Sequence, residues 1–202
     1  MRVLLVRHGQ SEWNAEKRLQ GQADVALSEN GVKQAEALRE VVQRLAPCRA
    51  ITSDLRRARD TARILGFADA EPSEGLREIS VGDWTGRRIP DIIAEDGERY
   101  AGWRAGTRTP PAGESWVDFV GRTCAVIENE RADRNCRNLL VVCHGGVVRA
   151  ILDHYLGLSP DRIIPVGPAS LTALRLPLNA GETVKLELFN YDPREVQFDA
   201  PD

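Results

Sequence analysis

The chain has 202 residues, of which 42% are hydrophobic and 28% charged, so we predict a single globular domain over residues 1–202. Its net charge of −3 argues against a general nucleic-acid binder, although 27 Lys and Arg residues leave room for a local basic pocket. No apolar run approaches the length of a membrane span, and the first one is too short for a signal peptide.

The cysteines of this chain show no metal-binding or redox motif. No two of them form a C-x-x-C pair or have zinc-type spacing with a histidine. We therefore expect reduced thiols and a cytoplasmic protein. The four residues concerned are Cys48, Cys124, Cys136 and Cys143.

The first predicted strand covers residues 3–6 and is followed directly by Arg7, His8 and a glycine. The polar stretch over residues 10–26 is long for a loop without helices or strands of its own, which indicates a functional segment. A helix is expected to begin next, with Ser28 as its N-cap.

A second strand is predicted at residues 50–52. Ser53 is expected to cap the helix that follows, with Asp54 in its first turn, where a negative charge suits the helix dipole. The same turn carries Arg57, which is placed near the carboxyl end of the strand.

The middle of the chain combines a predicted strand with a predicted cover. Residues 76–79, which include Glu78, are expected to form a short strand or extended segment. A turn, a helix, a loop and a second helix are expected at residues 82–86, 89–106, 109–113 and 116–131. Residues 87–115 are the expected cover over the site, and three tryptophans are assigned either to a substrate wall or to the core: Trp84, Trp103 and Trp116.

The last part of the chain contains a second apolar strand that ends in His-Gly. A predicted strand over residues 138–143 ends at His144 and two glycines, and a helix is expected over residues 146–156. His154 on that helix is interpreted as structural. Two final strands and a connecting turn are predicted at residues 170–176, 183–189 and 179–181. This order of elements predicts an α/β fold with a mostly parallel sheet covered on both faces.

Two strands that each end in His-Gly would bring two imidazoles to one edge of a parallel sheet, where ligands bind. The predicted constellation adds two guanidiniums and a carboxylate: Arg7, His8, Arg57, Glu78 and His144. Guanidiniums match phosphate oxygens, an imidazole can act as a nucleophile, and a carboxylic acid can protonate a leaving alkoxide. The residues therefore indicate phosphoryl chemistry.

The sequence resembles the histidine phosphatase superfamily, also called phosphoglycerate mutase-like, over nearly its whole length. The motifs that carry the resemblance are Arg7-His8-Gly9, Asn14, Gln20-Gly21, Leu27…Gly31…Gln34-Ala35, Ser53-x-Leu55-x-Arg57-Ala58-x-x-Thr61-Ala62, Leu76-x-Glu78, Gly113-Glu114-Ser115 and Val142-x-His144-Gly145. The implied fold is a three-layer α/β/α sandwich.

The resemblance also implies the role of each site residue. His8 would attack phosphorus and become phosphohistidine, while Glu78 would protonate the leaving group and then activate water. The implied substrate-binding residues are Arg7, Asn14, Gln20, Gly21, Arg57, His144 and Gly145, with close backbone approach allowed at Gly9 and Gly145. No metal and no cofactor are implied.

Two departures from the family pattern affect the interpretation. Asp54 stands where proline is frequent, and both residues suit a first helical turn. Residues 82–86 read Gly-Asp-Trp-Thr-Gly, where mutases of the family carry Glu-Arg-His-Tyr-Gly, which favours the phosphatase branch. The sequence is most similar to the glucosyl-3-phosphoglycerate phosphatases and their broad-specificity relatives.

The predicted function is hydrolysis of a phosphomonoester through a phosphohistidine. The predicted substrate is a small phosphorylated metabolite, such as a phosphoglycerate derivative or a sugar phosphate, because residues 87–115 can cover the pocket. Two alternatives remain, a phosphoglycerate mutase-type phosphotransferase and a non-catalytic phosphate-binding module. No nucleic-acid or membrane partner is expected, and a homodimer is left open.

Overall fold

A computed structural model describes residues 1–132, 135–177 and 182–195, and its centre is one six-stranded sheet. The strand order across the sheet is β3-β2-β4-β1-β5-β6. The strands are β1 (Arg2–Arg7), β2 (Arg49–Ser53), β3 (Glu71–Ser73), β4 (Asn138–Cys143), β5 (Leu171–Arg175) and β6 (Lys185–Tyr191).

Helices connect most of these strands. They are α1 (Glu12–Ala15), α2 (Glu29–Arg44), α3 (Arg56–Leu65), α4 (Ile89–Arg104), α5 (Trp116–Arg131) and α6 (Gly145–Leu156). Ser28 caps α2 as predicted, because its side chain accepts a hydrogen bond from the backbone N–H of Gly31. The bounds of α5 and β4 agree with the sequence prediction.

The sheet is mostly parallel, as predicted. β3, β2, β4 and β1 run parallel, while β5 pairs antiparallel with β1 and β6 antiparallel with β5. One apolar cluster joins one face of the sheet to α2 and α3, and a second joins the other face to α4, α5 and α6. These two cores make the three-layer α/β/α sandwich, so the predicted fold class is confirmed.

Strand register determines where the two predicted histidines meet. In the parallel pair β1–β4, Arg7 lies opposite Cys143. His8 and His144 therefore follow two neighbouring strands at the same level, and the His8 N–H donates to the Cys143 carbonyl at 2.9 Å. A one-residue slip of either strand would turn its side chains to the opposite face of the sheet and move the two histidines out of line.

Several local predictions differ from the structure. Residues 76–79, expected as a short strand or an extended segment, form no strand: the edge strand comes earlier, at Glu71–Ser73, a 3₁₀ turn follows it, and Arg77 has extended backbone angles. The stretch over residues 10–26 contains the short helix α1, for which Ser11 provides a capping box with Asn14.

Helix α3 begins after Leu55 rather than after Ser53. Ser53 does not cap the helix because its hydroxyl lies 2.8 Å from His144 Nε2. Asp54 lies before the helix, where its carboxylate forms an ion pair with Arg77. The cap and first-turn roles predicted for these two residues were therefore wrong, and both contact side chains that are distant in sequence.

The expectation of four reduced thiols was also wrong. Cys48 and Cys136 form a disulfide, with their Cα atoms 5.7 Å apart. Each precedes one of the neighbouring parallel strands β2 and β4, so sheet topology brings together two cysteines 88 residues apart. Cys124 and Cys143 are free and buried, and burial raises the pKa of both thiols. The cytoplasmic setting stays a prediction without the support of reduced thiols.

The predicted turn at residues 179–181 lies outside the described residues. In the described ranges, we find no helix long and apolar enough to cross a membrane.

Candidate active site

An open cavity with about 790 Å³ of empty space lies beyond the carboxyl end of β1. The predicted site residues that line it are Arg7, His8, Asn14, Gln20, Gly21, Arg57, Glu78 and Gly145. His144 is fully buried and lies beside His8, with ring centroids 5.1 Å apart. The structure thus brings the whole predicted constellation together.

The tautomer of His8 follows from its hydrogen bonds. Its Nδ1 lies 2.6 Å from the Gly9 carbonyl oxygen, which can only accept, so Nδ1 carries the proton. In the neutral ring, Nε2 then carries the lone pair, which accepts a hydrogen bond from Arg57 Nε at 3.2 Å. Burial and the charges of Arg57 and Arg7 hold the pKa of His8 well below its ordinary value. His8 is therefore a neutral imidazole at neutral pH.

Two buried guanidiniums lie near the His8 ring. Arg57 is fully buried and donates to the carbonyls of Ala23, at 2.6 Å, and Gly21, at 2.8 Å. Burial lowers the pKa of Arg57 to about 10, which still leaves it charged at neutral pH. Arg7 is 7% exposed and donates to the Val166 carbonyl. Both arginines line the cavity, so its wall carries two positive charges that favour an anionic ligand.

His144 has one ring nitrogen bonded and one without a partner. Its Nε2 lies 2.8 Å from the Ser53 hydroxyl, while Nδ1 is buried with no hydrogen-bond partner. Burial and the charges of Arg57, His8 and Arg7 lower the pKa of His144. A buried polar atom without a partner is costly, and an oxygen of a bound anion would satisfy it.

Glu78 is fixed by two backbone N–H groups. Its carboxylate accepts from Ile79 at 2.9 Å and from Gly146, in the first turn of α6, at 3.1 Å. A Cβ atom at residue 146 would lie 2.1 Å from Glu78 Oε1, so this contact requires glycine. At Gly145 a Cβ would make only ordinary contacts, of 3.6 Å or more, with Arg7.

Close backbone approach is also required behind His8. A Cβ atom at Gly9 would lie 2.3 Å from the Gly31 carbonyl oxygen, and one at Gly31 would lie 2.0 Å from that of Gln10. The predicted close approach at Gly9 therefore occurs against the first turn of α2. This contact packs the loop that follows His8 against helix α2.

Ser11, which sequence reasoning missed, orients two amides of the cavity wall. Its backbone N–H donates to Asn14 Oδ1 at 3.1 Å, and its hydroxyl lies 2.7 Å from Gln20 Oε1. With both amide oxygens occupied, the NH₂ groups of Asn14 and Gln20 are the parts left for a ligand. NH₂ groups can only donate, which suits an anion. The capping-box pattern of Ser11 and Asn14 is a signal that could have identified this residue.

The outer wall of the cavity comes from α4, the start of α5 and α6. Trp103 and Trp116 line it, whereas Trp84 is 4% exposed and packs edge-to-face on Trp103 in the core. Sequence reasoning also missed three further cationic residues of the lining: Arg18, Arg104 and Arg149. Arg149 lies four residues after Gly145 and therefore on the same face of α6. This helical spacing is the sequence feature that could have identified it.

The arrangement suits nucleophilic attack on an anionic centre. It combines a neutral imidazole, two buried cations and a carboxylate beside a cavity that can hold a small molecule. Among the residues of the described ranges, we find no group of three or more His, Cys, Asp or Glu side chains placed to hold a metal ion.

The sequence matches the model of a known protein family. A model of the histidine phosphatase superfamily (branch 1) matches residues 3–189. The chain belongs to this superfamily. The family prediction from the sequence is thereby confirmed, and so is the enzyme class, a phosphatase.

Relatives of this histidine phosphatase carry different names. It is 38% identical over 172 residues to a glucosyl-3-phosphoglycerate phosphatase of Mycolicibacterium vanbaalenii, a match that covers 79% of this chain and 76% of the relative. It is 34% identical over 171 residues to a 2,3-bisphosphoglycerate-dependent phosphoglycerate mutase of Gloeobacter violaceus, covering 80% and 78%.

A solved structure has the same fold. The mycobacterial glucosyl-3-phosphoglycerate phosphatase in complex with VO3 superposes with a TM-score of 0.85 at 34% identity. The match covers 94% of this chain and 98% of that one.

Proposed function

We propose that this histidine phosphatase hydrolyses phosphomonoesters of small metabolites through a phosphohistidine on His8. The observation that carries the proposal is the state of His8. Its Nδ1 proton is held by the Gly9 carbonyl, so Nε2 carries the lone pair, which accepts from the buried Arg57 guanidinium until a phosphoryl group takes up that donor. We call Arg7, His8, Arg57 and His144 the phosphate cradle.

In the first proposed step, His8 Nε2 attacks phosphorus and the P–O bond to the ester oxygen breaks. The guanidiniums of Arg7 and Arg57 stabilise the charge on the equatorial oxygens, which is the main requirement of phosphoryl transfer. A phosphoryl oxygen can only accept from His144 Nδ1, the nitrogen that lacks a partner. Glu78 donates its proton to the leaving alkoxide.

In the second proposed step, the Glu78 carboxylate takes a proton from water, and the oxygen of that water attacks the phosphohistidine. The P–N bond breaks, inorganic phosphate forms and His8 returns to its neutral state. Glu78 returns to its protonated form. The two N–H bonds to Glu78 keep its carboxylate at the cavity wall through both steps.

The proposed substrate is a small phosphorylated metabolite, such as a phosphoglycerate derivative or a sugar phosphate. The walls formed by α4 and the start of α5 support this, because Trp103 and Trp116 line the cavity. The name of the Mycolicibacterium relative makes glucosyl-3-phosphoglycerate the first ester to test. Residues 87–115 are proposed to act as the substrate cover.

The test is phosphate release from a panel of esters in excess EDTA. The panel contains glucosyl-3-phosphoglycerate, 3-phosphoglycerate, phosphoserine, sugar phosphates and p-nitrophenyl phosphate. We expect turnover that His8→Ala abolishes and that His154→Ala, a change at an exposed histidine on α6, leaves intact. We also expect ³²P from labelled substrate to remain on the denatured wild-type protein at alkaline pH and not on His8→Ala.

Each alternative function gives a different result in the same samples. Conversion of 3-phosphoglycerate to 2-phosphoglycerate without phosphate release would support the mutase reading that the Gloeobacter relative suggests. Binding of phosphate without turnover of any ester would support a non-catalytic module. Label that persists in His8→Ala would mean that another residue is the nucleophile.

A further inference from the structure

The segment that carries Glu78 has little regular structure to hold it. Residues 74–80, the acid loop, contain one 3₁₀ turn at Glu74–Leu76 and no strand. A loop with few ladder hydrogen bonds needs other partners for its carbonyl groups. The position of the Glu78 carboxylate depends on those partners.

One guanidinium supplies donors for three of these carbonyls. Arg122 on α5 donates through Nη1 to the carbonyls of Gly75, at 2.9 Å, and Arg77, at 2.8 Å. Its Nη2 donates to the carbonyl of Glu78 itself at 3.0 Å. Three carbonyls within four residues of the acid loop therefore point at a single side chain.

Glu114 closes the network from the other side. Its carboxylate accepts from Arg122 Nε at 2.6 Å and from Nη2 at 2.9 Å. It also accepts from the backbone N–H of Ser80 at 3.1 Å, and the Glu114 N–H donates back to the Ser80 carbonyl at 2.9 Å. The ends of the acid loop are thus joined through one ion pair.

This use of Arg122 excludes a role as a ligand for substrate. A guanidinium has five N–H donors, and the five bonds to the acid loop and Glu114 employ all of them. Lysine has three donors on one atom and no planar fork, so it cannot reproduce this pattern. The Arg122 side chain is 25% exposed and that of Glu114 is 16% exposed, so water competes weakly for these bonds.

We propose that Arg122, with Glu114, is a positioning residue that places the acid loop so that Glu78 reaches the leaving-group oxygen. The proposal rests on the proposed function, in which Glu78 is the proton donor. Since kcat/KM reports only the steps up to departure of the leaving group, such a residue affects it only when that group needs a proton. The fall in kcat/KM when the residue is replaced should therefore depend on the leaving group, whereas a fall caused by unfolding would be the same for all esters.

The test compares kcat/KM for two esters, an alkyl phosphate such as glycerol phosphate and p-nitrophenyl phosphate. The alkoxide needs protonation and p-nitrophenolate does not. For Arg122→Met we expect a fall of about 10–100-fold on the alkyl ester, part of the range that a positioned acid contributes, and less than about 3-fold on p-nitrophenyl phosphate. Arg122→Lys should recover only part of the loss, and Glu114→Gln should show the same dependence on leaving group with a smaller effect.

The control is Arg131→Met, a change in the last turn of the same helix. Arg131 pairs with Glu128 and donates to the Pro177 carbonyl, so its contacts lie outside the acid loop. We expect no dependence on leaving group for this variant. A second control repeats Arg122→Met in a Glu78→Gln background, where it should cause no further loss on the alkyl ester.

The outcomes separate this proposal from the function on which it rests. Equal losses on both esters, or losses that multiply in the double variant, would overturn the positioning role while leaving the phosphatase intact. Absence of His8-dependent turnover in the wild-type protein would overturn both. If Arg122→Met fails to fold, Arg122→Lys and Glu114→Gln decide the question with the same ratio of esters.

Discussion

The phosphate cradle and the acid loop contribute to one site, but the protein positions them by different means. The two histidines of the cradle follow neighbouring parallel strands whose register places them side by side. Glu78 lies in an irregular segment held by side chains from α5 and by Glu114. A strand ladder fixes several residues at once, whereas the acid loop depends on a few long-range bonds. Variants in the two regions should therefore affect catalysis in different ways.

Arg57→Ala should have the largest effect among the changes outside the nucleophile. It removes a buried cation from the charge that develops on the phosphoryl group, and loss of such a stabilising donor typically costs about 10²–10³-fold. We expect a fall of at least about 10³-fold in kcat/KM for p-nitrophenyl phosphate, because the Gly21 and Ala23 carbonyls also lose their donor. Arg57→Lys keeps the charge but lacks the planar set of guanidinium donors, so it should recover only part of the activity.

The same assay with Glu78→Ala sharpens the contrast between the regions. p-Nitrophenolate leaves without a proton, so we expect a much smaller loss for this variant than for Arg57→Ala. If Glu78→Ala costs more than Arg57→Ala on this substrate, Glu78 is not primarily a leaving-group acid.

The cradle was easier to predict than the acid loop for a physical reason. Apolar runs that end in His-Gly indicate buried strands with ligands at their ends, and the structure confirms both strands that precede His8 and His144. Residues 76–79, expected as a strand or an extended segment, do not form a strand, because the preference of a short segment is weak. Tertiary bonds from Arg122, distant in sequence, decide its conformation.

The other errors have the same origin. Ser53 and Asp54 have the composition of a helix cap, yet each bonds to a distant side chain, His144 or Arg77. The Cys48–Cys136 disulfide joins residues 88 positions apart, and its pairing follows from sheet order rather than from spacing. Local patterns thus predicted most helices and strands, but not the contacts that orient the site.

The buried histidines predict how stability depends on pH. Burial, with nearby arginines, lowers the pKa of both His8 and His144 in the folded protein. An unfolded imidazole has a pKa of about 6.5, so below that pH the unfolded chain binds more protons than the folded one. Stability is then complete above this pH and falls as the pH decreases, by up to about 1.4 kcal/mol per pH unit for each histidine.

Urea unfolding between pH 7.5 and pH 5 measures this slope. His8→Gln should remove about half of it, because one of the two neutral imidazoles is gone. Saturating phosphate should reduce the slope further, since a bound anion offsets the charges of Arg7 and Arg57 that help to keep the rings neutral. A slope that does not change in His8→Gln would contradict the assignment of the acid sensitivity to the cradle.

Ser53→Ala should have the smallest effect, and it tests how the cradle is tuned. The Ser53 hydroxyl is fully buried, lies 2.8 Å from His144 Nε2 and accepts from the Leu55 N–H at 3.4 Å. A phosphoryl oxygen needs a proton on His144 Nδ1, so Nε2 must then accept from the Ser53 hydroxyl. Alanine cannot donate this hydrogen bond, so the His144 tautomer with its proton on Nδ1 is no longer favoured.

One neutral hydrogen bond contributes about 1 kcal/mol, so we expect inhibition by inorganic phosphate to weaken about 5–10-fold in Ser53→Ala. The loss should be similar for alkyl and p-nitrophenyl esters, because Ser53 acts on the phosphoryl group rather than on the leaving group. Ser53→Thr keeps the hydroxyl and serves as the matched control. A loss in Ser53→Ala that grows with the basicity of the leaving group would instead assign Ser53 to the acid loop, and the division between the two regions would not hold.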